Sequence, residues 1–80
     1  MDDREIVARI GELASEERTL EEAHADEGLS QEDQARLREL EVTLDRLWDL
    51  LRQRRALRDA GRDPDGAAER PGGTVEGYLQ

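Results

Sequence analysis

Three places in the chain carry side chains able to do chemistry. The first is Glu17, Glu21 and His24. Glu21-Glu22-Ala23-His24 has the Glu-x-x-His spacing. On a helix that spacing sets a carboxylate and an imidazole on one face, the arrangement that di-iron bundles use. Glu17 lies one turn earlier and points the same way, and a dimer would supply two copies. A working site also needs inward carboxylates from the facing helix, and there the chain offers Leu37 and Leu40. The plainer reading is a polar layer in a helical seam, with Glu17 paired to an Arg. No metal and no other cofactor is expected.

The second is the run from Arg52 to Arg62. Residues 50–62 hold five Arg against one acid, Asp59. Arg is a good phosphate ligand. Yet the chain carries a net charge of −9, matches no nucleic-acid-binding module, and has no aromatics interleaved for base stacking. Nucleic acid is therefore a disfavoured partner.

The third is a protein contact surface made by Trp48, Leu50, Arg54, Arg55, Leu57 and Arg58, joined by Tyr78 and Leu79. Trp, Tyr and Arg are the residue types enriched where binding energy concentrates. The competing reading buries this surface inside the protein's own homodimer or under its own tail. The acidic first part of the chain is able to neutralise Arg54. Enzyme motifs are missing. There is no Cys, Ser15 and Ser30 have only His24 as a base, and no Gly-rich phosphate loop precedes a helix. The chain reads as non-enzymatic.

These residues are positioned by two amphipathic stretches. Ile6, Ile10, Leu13, Glu17, Leu20 and His24 recur at alternating steps of four and three, a heptad seam. Asp2 followed by Glu5 has the spacing of a capping box. Helix one is expected over about 3–25. Gly11 falls on its opposite face. Asp26-Glu27-Gly28-Leu29 is a turn, with Gly28 suited to a left-handed helix exit. Ser30 with Asp33 caps helix two, expected over about 31–60. Leu37, Leu40, Leu44, Leu47 and Leu51 lie within a sector of roughly 80° on it. Trp48 sits on one edge of that sector; Leu50, Arg54 and Leu57 lie on the other.

A connection this short makes the helices antiparallel. Registering them about the turn sets Leu20 near Leu37, Leu13 near Leu44, and Ile6 near Leu50 and Leu51. Helix two then outruns helix one by about two turns, and that end needs cover. Gly61 and Pro64 mark the helix exit. Asp63-Pro64-Asp65-Gly66 reads as a turn. Residues 62–80 form an irregular tail whose last six, Val75 to Gln80, carry three sizeable apolar side chains.

The signature Leu44-Asp45, Trp48-Asp49-Leu50-Leu51-Arg52-Gln53-Arg54-Arg55-Ala56-Leu57-Arg58, Gly61, Asp63-Pro64 and Val75-Glu76-Gly77-Tyr78-Leu79-Gln80 resembles a small actinobacterial family of unknown function. The resemblance spans nearly the whole chain, with helix one matching more loosely. It implies a compact helical protein and carries over no substrate or catalytic residue.

Composition bounds what this fold is able to do. Eighty residues make one domain. With 35% hydrophobic and 41% charged residues, the chain lies near the border of disorder, and periodicity is what argues for folding. A lone hairpin of this size buries little apolar surface, so self-association is expected. The fold expected is all-α: an antiparallel two-helix hairpin with an extended C-terminal tail, dimerising into a coiled-coil-like four-helix bundle. All the basic residues are Arg, a mark of a GC-rich genome. The charge is lopsided: residues 1–33 hold twelve acids and three Arg, whereas residues 34–80 are neutral. Met1-Asp2-Asp3 is acidic where a secretory leader is basic, and no apolar run approaches a membrane span. A cytoplasmic homodimer, with room for one unidentified protein partner and no membrane contact, is the expectation.

Overall fold

The computed structural model of the protein describes residues 1–23 and 28–69. His24 and the terminal Tyr78 and Leu79 lie outside them. Two helices dominate: α1, Asp3–Ala23, and α2, Gln31–Asp59. A single turn of 3-10 helix, Pro64–Gly66, follows. Among the described residues there is no strand, and no helix is long and apolar enough to cross a membrane.

The ends of the helices are set by local chemistry. The Glu5 backbone N–H donates to Asp2 Oδ1 at 2.8 Å, and the Asp2 N–H donates to Glu5 Oε1 at 3.3 Å, a reciprocal capping box. Ser30 caps α2, its hydroxyl accepting from the Asp33 N–H at 3.1 Å. Gly28, before this cap, has φ of +74°, a conformation that a side chain disfavours. At the far end Gly61 has φ of +72°. Its N–H reaches the Arg58 carbonyl at 3.0 Å, and the Arg62 N–H reaches the Leu57 carbonyl at 2.8 Å. Those two bonds make a Schellman motif, which ends the helix and turns the chain back on itself.

The helices pack along the expected seam. Ile6, Ile10 and Leu13 of α1 are buried with Leu40, Leu44, Leu47, Leu50 and Leu51 of α2, and Leu20 and Leu37 extend the cluster toward the turn. Ile6, Leu40 and Leu51 are the most completely enclosed. At about 1.5 Å per residue, the 29-residue α2 is roughly 12 Å longer than the 21-residue α1. Asp3 at the start of α1 reaches Arg54 and Arg58 near the end of α2, and the chain beyond the helix covers that end further. Residues 63–68 fold back along the Leu50 side of α2, and Ala67 packs on the core. Leu57 approaches Gly66, whose missing side chain would lie 3.8 Å from Leu57 Cδ1.

Gly11 lies in the exposed middle of α1, and a Cβ there would meet no atom within 4 Å. Its only effect is the backbone entropy lost on folding. Gly11→Ala is predicted to raise stability by about 0.5–1 kcal/mol. Urea denaturation followed by circular dichroism measures this directly.

Candidate functional site

Arg54 is the one arginine of α2 that is taken almost completely out of water, at 6% exposure. A guanidinium in that position must have its donors satisfied. Its Nε donates to Asp3 Oδ1 at 2.5 Å, and one terminal nitrogen donates to Asp65 Oδ1 at 3.0 Å and to the Pro64 carbonyl at 3.3 Å. Arg58, one turn on, contacts the other oxygen of Asp3 at 2.9 Å. Asp3 thus bridges two arginines from the first turn of α1. Arg54 ties together the start of α1, the end of α2 and the returning segment. The antiparallel packing that buries Ile6 in one cluster with Leu51 also sets Asp3 beside Arg54. Hydrogen bonds and charge from Arg54 and Arg58 hold the Asp3 carboxyl below its ordinary value, against the opposing effect of burial. Hydrogen bonds to Asp3 and then Asp65 raise Arg54.

A second clasp lies beside this lock. Gln53 donates to buried Asp49 Oδ2 at 2.9 Å and to the Ala68 carbonyl at 2.7 Å, and accepts from the Ala68 N–H at 3.4 Å. Asp65 and the Gln53–Ala68 pair therefore fix the returning segment on one flank of α2. Near the turn, Arg36 grips Glu16 through two donors, at 2.5 and 2.9 Å, and also reaches Glu39 at 3.1 Å. The bond from Arg36 depresses the Glu16 carboxyl.

The expected Glu17–Arg pair is not formed among the described residues; its neighbour Glu16 takes Arg36. Glu16 is one step round the helix and points to the flank where Arg36 lies. Glu17 stays half-buried, and burial, then the nearby charges of Glu21 and Glu41, push its carboxyl up. Glu21 and Glu41 each lie five positions on from a member of the Glu16–Arg36 pair, so in the antiparallel hairpin they fall on the flank away from it. Among the described residues no group of three possible ligands is placed to hold a metal, and His24 falls outside them.

The residues grouped as one contact surface separate onto two sides. Trp48 and Leu50 are two positions apart, so their directions differ by about 200°. Leu50 and Arg54 are buried within the chain's own fold, and Leu57 is half-buried beneath the returning segment. Arg58 is exposed but engaged with Asp3. Trp48, at 43% exposure, and Arg55 remain open on the other side. The arginine run divides in the same way: Arg54 and Arg58 are claimed by Asp3, whereas Arg52, Arg55 and Arg62 face solvent. Sequence reasoning did not single out Asp3, Asp65 or Gln53. The helical register was a signal for Asp3. Nothing local announced the other two.

A family model described as "Protein of unknown function (DUF2630)" matches residues 2–80. The chain belongs to this family. DUF2630 relatives include an uncharacterized protein of Mycobacterium bovis and one of Mycobacterium tuberculosis. Each is 49% identical over 78 residues, covering 96% of this chain and 90% of the relative. No solved structure matches. The actinobacterial resemblance carried by the Trp48–Arg58 signature is thus met by membership of DUF2630.

The lock makes stability depend on pH in a defined direction. A carboxyl whose folded pKa is depressed contributes stability that is full above its unfolded value. That stability is lost as pH falls through the folded value. Asp3 and Glu16, ordinarily near 3.8 and 4.5, are both of this kind. Glu17 is raised and has the opposite sign: its penalty is relieved on acidification. Thermal midpoints by circular dichroism should fall between pH 5 and pH 3, a window set by those ordinary values. Asp3→Asn should be less stable at pH 7 with a shallower acid slope. Glu17→Gln should be more stable than wild type at pH 7, with the gain shrinking toward pH 4.

Proposed function

We propose that the protein acts by contact rather than by catalysis, as a small helical interaction protein. Its contact surface is the open side of α2 around Trp48 and Arg55. The observation that supports this reading is the exposure of Trp48. Every Leu of the α2 seam from Leu40 to Leu51 is buried, yet the largest apolar side chain of the chain stands 43% exposed. An indole in water forgoes the burial that would stabilise it. Arg52 and Arg55 follow it one and two turns along α2, so this side carries Trp and Arg, the residue types enriched at binding hot spots. A partner for this surface offers apolar area for the indole and acidic groups for the arginines.

Nucleic acid is a weaker candidate for the same arginines. Asp3 already engages two of the five in the run, and the chain carries −9 overall. A reaction is a weaker reading too. The side chains available for acid–base work are a carboxylate cluster and His24, with no Cys in the chain.

The test is affinity capture from an extract of the native host. The baits are the tagged wild-type chain and a Trp48→Ala, Arg55→Ala variant whose fold is checked by circular dichroism. Wild type should retain at least one protein, untagged copies of itself included, that the variant loses. Identical captured sets from both baits would contradict the reading.

A further inference from the structure

The open face has an internal pattern that specifies its occupant. Along α2, Glu41, Trp48 and Arg55 are each seven residues apart, so they form one nearly straight stripe. All three are exposed. Neither Glu41 nor Arg55 has an ion-pair partner in its own chain among the described residues. Asp45 and Arg52 lie just inside the two ends of the stripe. Read outward from Trp48, Asp45 and Glu41 stand three and seven residues to the N-terminal side, and Arg52 and Arg55 four and seven to the C-terminal side, with Asp59 one turn beyond Arg55. Along α1, Val7, Ala14 and Glu21 also recur every seven residues. Val7 is 53% exposed and Ala14 half-buried.

Glu21 and Glu41 each lie five positions on from the Glu16–Arg36 pair, about 140° round their antiparallel helices, which puts the acidic ends of both stripes together on the side of the hairpin away from that pair. That side is therefore acidic toward the turn, apolar at Val7, Ala14 and Trp48, and basic toward the open end. A surface patterned in this way is complementary to itself when turned end for end. A two-fold interface has that property by necessity, since each contact is made twice with the roles exchanged.

We propose that this face is covered by a second copy of the same chain, packed antiparallel about a two-fold axis near Trp48. Glu41 of each copy then lies opposite Arg55 of the partner subunit. The two indoles meet near the axis, with Val7 and Ala14 beside them. The stripe from Glu41 to Arg55 spans about 21 Å at the helical rise, enough for three heptad layers. Glu17, whose charge is disfavoured in the single hairpin, gains a nearby cation from the partner subunit. The inference rests on the contact-surface reading and narrows its occupant to this chain.

Sedimentation equilibrium on the full chain tests it, with single and exchanged charge variants. Wild type is expected to be a dimer at micromolar concentration. Glu41→Arg and Arg55→Glu, both at exposed positions, each set like charges opposite one another twice. Each should weaken the dimer at least about tenfold while the circular dichroism spectrum stays helical. The Glu41→Arg, Arg55→Glu double variant should recover the dimer. An equimolar mixture of the two single variants should form a heterodimer tighter than either homodimer, an outcome that a foreign partner does not produce.

A wild-type chain that stays monomeric at about 100 μM would overturn the proposal. So would single reversals without effect, or a mixture that fails to pair. A monomer in which Trp48 fluorescence is shielded from a soluble quencher would make the chain's own terminus the occupant, which also overturns it. If the chain is monomeric but Trp48-dependent capture persists, the contact surface stands and self-pairing alone fails. If both are missing, both fail.

Discussion

A nearly dry arginine is the constraint on which this structure depends. A guanidinium cannot shed its charge, so burial is tolerable only where its donors are met by carboxylates and carbonyls in good geometry. Arg54 meets that condition with groups from three separated parts of the chain: Asp3, Asp65 and the Pro64 carbonyl. None is a near neighbour in sequence, the closest being ten residues away. The register of the hairpin and the path of the returning segment must both be right for Arg54 to be satisfied at all. A helix pair held only by a leucine seam is able to slide by a heptad at modest cost. This one loses the Asp3 carboxylate that partners its buried Arg54 if it does.

The lock also explains why the two flanks of α2 differ. On the Leu50 flank, the Schellman turn at Gly61 sends the chain back, and Asp65, Ala67 and the Gln53–Ala68 clasp cover the overhang of the longer helix. On the Trp48 flank nothing among the described residues plays that part. The apolar surface there is interrupted by charges arranged by sign rather than scattered. One flank is thus closed by the chain itself, and the other is shaped to be closed by something else.

Much of this was legible in the sequence. The heptad seams, the capping pairs at Asp2/Glu5 and Ser30/Asp33, and the glycines at 28 and 61 are local signals with local causes, and they fixed the hairpin and its register. Covalently near interactions leave short-range patterns. The partners of Arg54 do not. The first 33 residues hold twelve acids, and the choice of Asp3 among them follows only once the register is known. The choice of Asp65 follows only once the chain is known to double back. Among the described residues Glu16, not Glu17, meets an arginine, because adjacent positions on a helix face different ways.

The lock itself is most directly tested by a double-mutant cycle of urea stability on Asp3→Asn, Arg54→Met and the pair together. Arg54→Met alone should be clearly destabilising, more so than Arg55→Met at its exposed neighbour. If the two side chains act as one contact, Asp3→Asn should cost much less in the Arg54→Met background than in wild type, leaving only its contact with Arg58. Strictly additive losses, or an Arg54→Met chain as stable as wild type, would contradict the account.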